Sequence, residues 1–286
     1  ILKLVPLPRV LHGARSYGVR KWWPRMRRFW ADMKSSDFQN IEPDTVAILP
    51  IGAIEQHGPH LPVSVDRDLV NAVALRVLDH IEPEQNVLIL PTMAIGKSNE
   101  HIMHAGTLSY SAETLIRMLK DIARSPHQSG IKRFVFLNGH GGNSALLDVV
   151  ARDLRVDFDM NVAVCSWFQF ADYSAIYKAD EIQFDLHGGD IETSAMLAVA
   201  PHLVDMQLAQ NFVPKIAHWN DRFTHIGMGP NRVLPSWKID DISEGGACGN
   251  AANATADKGV HLMTTAAKNF AVFLREFSVF DLMGDA

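Results

Sequence analysis

Apolar runs of two different periods alternate along most of the chain. Short runs rich in Val, Ile and Leu predict buried strands, and they read "TVAILPIG" at 45–52, "NVLILPTMAIG" at 86–96, "KRFVFL" at 132–137 and "MNVAVCSWF" at 160–168. Segments with apolar residues every three or four positions predict amphipathic helices, and they span 64–81, 111–130, 144–158, 191–204 and 253–277. The stretch 212–249 shows neither period and is predicted to be irregular.

This alternation of strands and helices predicts an α/β fold with a mainly parallel sheet that helices cover on both faces. Three polar clusters follow strand ends directly: "EQHGPH" at 55–60, "GKSNEH" at 96–101 and "NGHGGN" at 138–143. The carboxyl ends of parallel strands form the ligand-binding edge of such sheets. We therefore expect the three clusters to converge on one site.

Composition narrows the function classes. The chain has 286 residues and a formal net charge of −5, which argues against nucleic-acid binding by the whole chain. No apolar run approaches the roughly 20 residues that span a bilayer, so we expect no membrane partner. The two cysteines, Cys165 and Cys248, lie far apart outside any CxxC pair, which suits a cytoplasmic protein without disulfides.

Residues 1–44 differ from the rest because they are basic and rich in tryptophan. Trp22, Trp23 and Trp30 are interleaved with nine Lys and Arg residues. The segment lacks the clean apolar core of a secretory signal. Two interpretations of the segment stay open: a basic amphipathic helix on a membrane surface, and an anion-binding arm. We favour a third, an arm whose tryptophans pack on the main domain or on a neighbouring subunit.

Five residues from separate segments form a candidate ligand set without thiolate. Glu55 and His57 are two apart, so in an extended segment they point to the same side and Gln56 points away. Asp66, His140 and Glu192 lie beside later strand or helix ends. Carboxylate and imidazole ligands suit Zn²⁺, Mn²⁺ or Fe²⁺. Five are too many for one tetrahedral zinc, but they suit two metals that share a carboxylate and a hydroxide nucleophile.

Other interpretations of these residues stay open at this point. Asp66 could cap the helix that begins near Asp68, and Glu192 could complement a helix N-terminus. "NGHGGN" could be a phosphate-binding turn. It has neither the Lys-Ser/Thr of a P-loop nor GxGxxG spacing, which weakens that interpretation.

Several long motifs resemble those of the creatininase (creatinine amidohydrolase) family. They are, in order, "LPIGAIEQHGPHLPVSVD", "GKSNEHIMHAGTLSY", "FLNGHGGN", "HGGDIETSAML" and "GNAANATADKGVHLM", and the resemblance runs from about residue 45 to residue 277. It implies a three-layer α/β/α sandwich, a dinuclear metal site, hydrolysis of C–N bonds in small amides, and a homohexamer. The domains are thus the arm, 1–44, and a single catalytic domain, 45–286.

The resemblance also assigns roles by motif. Glu55 and His57 would bind one metal each, and Asp66 would bridge the two. His140 would join the metal of Glu55, and Glu192 would join that of His57. His187 matches the family's catalytic histidine. Glu192 could instead shuttle protons, so it is also a catalytic candidate.

Three departures from the family pattern concern the substrate. Creatinine-hydrolysing members carry a Tyr and a metal-binding Glu where this chain has Gly141 and Gly142. They also carry a Trp-containing loop before the "HGG" motif, where this chain reads "EIQFDL" without a tryptophan. The usual "FPGT" is "HAGT" here, with His104. Creatinine itself is therefore not the expected substrate. Candidate substrate contacts are Ser98, His101, His104, Gly141 and Trp167, and His60 is a candidate support for a ligand.

The sequence thus predicts a metal-dependent amidohydrolase of a small cyclic amide, such as a lactam, an imide or a hydantoin-like ring. Two divalent ions per subunit are expected, with Zn²⁺ first and Mn²⁺ or Fe²⁺ as alternatives. A formamide or a peptide-type linear amide is the alternative substrate class. A catalytically idle scaffold is the alternative from another functional class, and the complete ligand set argues against it.

Overall fold

The computed structural model describes residues 28–179, 181–282 and 284. Four parallel strands form its central sheet: β1 (Val46–Ile51), β2 (Val87–Ile89), β3 (Arg133–Asn138) and β4 (Asn161–Ser166). The strand order is β2-β1-β3-β4, with Val46 opposite both Val87 and Arg133. All four strands lie where the apolar runs predicted them.

Five long helices cover the sheet. They are α1 (Val65–Arg76), α2 (Ala112–Gln128), α3 (Ser144–Phe158), α4 (Asp190–Val199) and α7 (Ala256–Val279). Helices α1, α4 and α7 contribute to one apolar core, and α2 and α3 contribute to a second. The cores lie on opposite faces of the sheet, because Val46 and Ile48 of β1 belong to the first and Ala47 and Leu49 to the second. This arrangement confirms the predicted three-layer α/β/α sandwich.

The second strand is shorter than its apolar run. The run extends to residue 96, but β2 ends at Ile89. Pro91 has no N–H to donate to a neighbouring strand. The chain nevertheless stays beside β1, because Gly52 N donates to the Met93 carbonyl at 3.0 Å. This segment therefore still delivers residues 96–101 to the carboxyl edge of the sheet.

The irregular stretch 212–249 contains short elements that its sequence pattern did not predict. They are α5 (Ile216–Arg222) and α6 (Ile239–Ile242), flanked by β5 (Asn211–Phe212) and β6 (Gly249–Asn250), which pair antiparallel. A small apolar cluster of Ile216, Ile239, Ile242 and Cys248 holds them together. The stretch forms a separate cap with its own core.

The described part of the N-terminal arm packs on the sandwich. Phe29 forms a parallel bridge with Ile89, and the Trp30 ring lies 4.4 Å from that of Phe38 and against the core of α2 and α3. Trp22 and Trp23 lie outside the described residues, so their packing stays a prediction. Across the part of the chain that the structure covers, none of the helices has the length and apolar character needed to cross a membrane.

Candidate metal centre

The predicted ligands come together at the carboxyl edge of the sheet. Glu55 and His57 follow β1, and His140 follows β3. Asp66 lies in the first turn of α1 and Glu192 in the first turn of α4. All five are buried, Glu55 and His57 completely. The sandwich therefore concentrates carboxylates and imidazoles at one point beneath the surface, which costs free energy unless they are paired or bind a cation.

Two glycines allow Asp66 to reach this point. A Cβ on Gly52 would lie 2.6 Å from the Arg67 backbone, and a Cβ on Gly139 would lie 2.6 Å from the Asp66 carbonyl oxygen. Both distances are too short for any side chain. The N-terminus of α1 thus rests directly on the turns after β1 and β3, and this close approach places Asp66 between the two strand ends.

The five side chains divide into two neighbouring groups with Asp66 between them. His140 Nε2 lies 3.3 Å from Glu55 Oε2, and His57 Nε2 lies 3.7 Å from Glu192 Oε2. Asp66 faces both groups, with Oδ1 3.3 Å from His57 Nε2 and Oδ2 3.3 Å from His140 Nδ1. Asp66 thus lies between the two groups, where a carboxylate shared by two ions would have to lie. It meets the His140 ring at Nδ1, whereas Glu55 meets that ring at Nε2.

The donor atoms fit divalent cations because several of them are buried without a hydrogen-bond partner. Among the described residues, both carboxylate oxygens of Glu55, Nε2 of His57 and Oδ2 of Asp66 are in this state. Buried polar groups are normally satisfied. Oxygen and imidazole donors that converge without hydrogen-bond partners are what a Zn²⁺, Mn²⁺ or Fe²⁺ site requires.

The charges in the pocket depend strongly on one another. Burial opposes the charged form of Glu55, but His140 and its neighbours hold the pKa of that carboxyl well below its usual value. Burial likewise opposes charge on His57, yet Asp66 and Glu192 raise its pKa to about 10. The pKa of His140 also lies well above its usual value, because Glu55 and Asp66 outweigh burial. Without a metal, protons on these imidazoles take the place of cations.

His187 differs from these two histidines because it is held neutral. Burial, His57 and His101 lower its pKa well below the usual value. Its Nε2 donates to the Gln56 carbonyl at 2.6 Å, which leaves Nδ1 as the acceptor nitrogen, 3.6 Å from Glu55 Oε1. The ring stacks on those of His57 and His101 at 4.0 and 4.3 Å. The structure thus presents a fixed, unprotonated nitrogen beside the ligands.

Gln56 does not point away from the site, and that prediction was wrong. Its side-chain amide donates to the Gly246 carbonyl at 2.7 Å and to His101 Nδ1 at 2.9 Å. The side of the segment that Gln56 faces is therefore occupied by His101 and by the cap rather than by solvent. Gln56 thus links two histidines of the pocket to the cap formed by 212–249.

The proposed substrate contacts lie in different places. Ser98 and His101 are buried beside the ligands, with Ser98 Oγ 3.3 Å from His140 Nε2. Gly141 is exposed at the turn after β3. His104 pairs with Asp240 of the cap at 2.8 Å, so it fastens a loop to the cap.

Trp167 is not a pocket residue, which corrects the prediction that it contacts substrate. It is fully buried in the core of α1, α4 and α7 and stacks on Phe168 at 4.0 Å. His60 lies behind the site, where its Nε2 contacts the Thr193 hydroxyl at 2.9 Å. Thr193 is the neighbour of Glu192 on α4, so this contact suits a support for a ligand.

Glu100 is a further carboxylate at the site; it belongs to the "GKSNEH" cluster, and its motif made it a candidate substrate contact or loop support rather than a metal ligand. Its Oε1 lies 3.5 Å from His140 Nε2. Glu55, Glu100 and His140 each offer a ligand atom, and these atoms lie within 4.8 Å of one another. The glycine at position 142 is the sequence feature that points to Glu100 as a ligand, because a Cβ there would lie 2.5 Å from Glu100 Oε1.

Comparison with known proteins gives one family over most of the chain. The family described as Creatininase, creatinine amidohydrolase, matches residues 31–274. The match therefore begins within the segment that we assigned to the arm. Creatinine amidohydrolase of Pseudomonas putida is 35% identical over 187 residues, 60% of this chain and 70% of that protein. The mycofactocin precursor peptide peptidase of Mycobacterium ulcerans is 32% identical and covers 74% of this chain and 77% of that protein.

Solved structures agree with this comparison. The structure described as creatininase Mn has a TM-score of 0.69 at 26% identity, and it covers 89% of this chain and 100% of its own. A creatininase variant described as the Zn-Zn type has a TM-score of 0.69 at 28% identity with the same coverage. Both descriptions name ions that also suit the donor set found here.

Proposed function

The chain belongs to the creatininase family, and from that premise we propose that it hydrolyses a C–N bond of a small cyclic amide, such as a lactam, an imide or a hydantoin-like ring. One observation carries the metal-dependent chemistry of this proposal: buried carboxylate and imidazole atoms converge without hydrogen-bond partners at the edge of the sheet where ligands bind. A scaffold protein would have no use for such a costly arrangement.

We assign one ion to Glu55 and His140 and a second ion to His57 and Glu192, with Asp66 shared. Zn²⁺ is our first choice, and Mn²⁺ or Fe²⁺ suits the same donors. Divalent ions bound there would supply a Lewis acid for the amide carbonyl and would lower the pKa of a bound water. The protein contributes the positions of the ligands, which the tight packing of α1 against β1 and β3 holds in place.

His187 would move the proton. Because its Nε2–H is engaged by the Gln56 carbonyl, only Nδ1 can accept a proton. We propose that Nδ1 takes the proton from the attacking water and passes it to the leaving nitrogen. The amine then departs neutral, which is far easier than expulsion of its anion. The stacked rings of His57 and His101 keep the imidazole in this orientation.

A linear amide is the second candidate substrate. The relative from Mycobacterium ulcerans is a peptide peptidase, and a relative that matches only 37% of this chain is a deformylase from Methanococcus maripaludis. Gly141 leaves the exposed turn after β3 without a side chain, and nothing lies within 4 Å of the position that its Cβ would take. A substrate with an extended chain would find space there.

A substrate panel tests the proposal. Lactams, imides, hydantoins, formamides and short peptides would be incubated with protein loaded with Zn²⁺, Mn²⁺ or Fe²⁺, and we expect turnover of a cyclic amide. Turnover of peptides or formamides alone would favour the second candidate. No turnover of any substrate by protein that holds two ions would favour a binding role.

Variants of two histidines test the mechanism. His187→Ala should keep its metal and lose about 10²- to 10⁴-fold in kcat. His202→Ala, which changes an exposed histidine after α4, is the matched control and should keep full activity. A His187→Ala variant with wild-type kcat would contradict the assigned role.

We also propose assembly and location. The family resemblance implies a homohexamer, which analytical ultracentrifugation would test. Cys165 and Cys248 are both free and buried, and unpaired thiols suit a reducing compartment such as the cytoplasm.

A further inference from the structure

We propose that the carboxylate of Glu100 is a ligand of the ion held by Glu55 and His140, and that Gly142 is a glycine because it leaves the space for that carboxylate. This inference rests on the proposed function, since it requires that ions bind at the site. It adds a sixth protein ligand to the five assigned above, and it makes the two ion positions chemically different.

The first argument is the number of oxygens around one ring nitrogen. His140 Nε2 lies 2.9 Å from the Lys97 carbonyl oxygen, 3.3 Å from Ser98 Oγ, 3.3 Å from Glu55 Oε2 and 3.5 Å from Glu100 Oε1. An imidazole nitrogen has one N–H at most, so it cannot satisfy two carboxylates as well as a carbonyl. Surplus oxygens around one imidazole are typical of a cation site.

The second argument is the approach of two carboxylates to one imidazole nitrogen. Both oxygens of Glu55 are buried without a hydrogen-bond partner among the described residues, and Glu100 meets them from the opposite loop. Two carboxylates that approach one another repel unless a proton or a cation lies between them. An ion bound by Glu55 and His140 would remove that repulsion.

The loop that carries Glu100 is fixed by hydrogen bonds. Lys97 N donates to Asn143 Oδ1 at 2.9 Å, and Ser98 N donates to Ser109 Oγ at 2.8 Å. Asn143 also donates to the Gly52 carbonyl at 3.1 Å, so the loop is tied both to the turn after β3 and to the end of β1. Glu100 is therefore positioned by the same turns that position the other ligands.

The third argument is the space at Gly142. A Cβ there would lie 2.4 Å from the Lys97 carbonyl oxygen, 2.4 Å from His140 Nε2 and 2.5 Å from Glu100 Oε1. Any side chain at 142 would thus take the place of the Glu100 carboxylate. Neighbouring Gly141 has open space around the same position. Neither residue has a left-handed φ, so crowding rather than backbone conformation is what requires glycine at 142.

The consequence is an ion position rich in oxygen. The ion at Glu55 and His140 would gain the Glu100 carboxylate, because Glu55, Glu100 and His140 each offer a ligand atom within 4.8 Å of one another. The ion at His57 and Glu192 would share Asp66 but would lack a counterpart of Glu100. Oxygen-rich sites favour Mn²⁺ more than imidazole-rich sites do, so the first position should be the one that prefers Mn²⁺.

Mn²⁺ binding tests this inference with Glu100→Gln and Gly142→Ala in the full chain, with Gly141→Ala as the matched control. Stoichiometry and affinity would be measured by calorimetry, and paramagnetic resonance would separate coupled from isolated Mn²⁺. Loss of a group that only supports a metal ligand typically costs 10- to 100-fold in affinity, and loss of a ligand itself should cost at least the upper end of that range. We therefore expect that both variants lose about 100-fold in affinity for one of the two ions and keep their affinity for the second. At moderate Mn²⁺ concentrations their resonance spectrum should be that of a single, isolated ion.

The control should bind both ions as the wild type does, whatever its turnover. Unchanged binding of both ions by Glu100→Gln would overturn the ligand assignment, and unchanged binding by Gly142→Ala would overturn the role given to glycine. Equal weakening of both ions would also contradict the inference, because it would indicate a general structural role. If the wild type itself binds no Mn²⁺ or Zn²⁺, the proposed function fails instead.

Discussion

Replacing Gly259 by alanine should destabilise the protein and disturb Glu192, because α4 and α7 touch through backbone atoms at this position. A Cβ on Gly259 would lie 1.8 Å from the Ser194 carbonyl oxygen and 3.0 Å from the Ala195 nitrogen. Ordinary van der Waals contact begins at 3.4 Å, so the two helices must separate by about 1.5 Å. Both residues in the way follow Glu192 closely on α4.

The magnitude follows from two opposing effects. Overpacking a core costs about 1–3 kcal/mol, and we expect the upper end because the obstacle is backbone. Alanine in a helix interior gains about 1 kcal/mol over glycine. The net loss in the free energy of unfolding should therefore be about 2 kcal/mol. The displaced α4 should also weaken the ion that we assign to His57 and Glu192.

Urea unfolding of metal-free protein measures this effect without the contribution of bound ions. Val260→Ala is the matched control, since Val260 is the next residue of α7 and is half exposed. Its stability should stay within about 0.5 kcal/mol of the wild type. A Gly259→Ala variant as stable as the wild type, or more stable, would refute the packing argument.

Two further predictions concern titratable groups. Burial raises the pKa of both Cys165 and Cys248 to about 12. A thiol reagent at pH 8 should therefore label neither cysteine in the native protein and both cysteines in denaturant. Rapid labelling of the native protein would contradict their burial. Burial opposes charge on His57, yet Asp66 and Glu192 raise its pKa to about 10, so the metal-free ring is protonated at pH 7. An ion that binds to His57 must displace that proton. Calorimetry of ion binding in two buffers should therefore show proton release, and the affinity for the ion should rise with pH. Binding without proton release would contradict this protonation state.

Much of the fold, and the convergence of the candidate ligands at one edge of the sheet, could be predicted from the sequence, because both depend on local patterns. Alternating apolar residues of β1 and β3 face opposite cores. The alternation of apolar strand segments with amphipathic helices predicted such a sheet, covered on both faces. Glu55, His57 and His140 follow strand ends, and parallel strands carry such residues to one edge. Helix α2 begins at the start of the predicted helical segment 111–130, where the Ser111 hydroxyl accepts from Thr114 N at 3.2 Å.

What could not be predicted depends on contacts between distant segments. The "GKSNEH" cluster was expected at the site, but the approach of the Glu100 carboxylate to His140 depends on the close contact of its loop with the turn at Gly142. Gln56 turns inward to meet Gly246 of the cap, which strand alternation does not foresee. Trp167 follows β4 at the correct edge, but its ring packs into the core of α1, α4 and α7. The elements within 212–249 are too short to show a period, and their own small core stabilises them.

The number of divalent ions bound per chain tests the central claim most directly. Metal-free protein would be equilibrated with Zn²⁺ or Mn²⁺, freed of excess ions and analysed by elemental mass spectrometry against its protein concentration. Because Glu55 and His140 face one side of Asp66 while His57 and Glu192 face the other, we predict two ions per chain. Fewer than one ion per chain, with no response to added Zn²⁺ or Mn²⁺, would contradict the assignment of a dinuclear hydrolase.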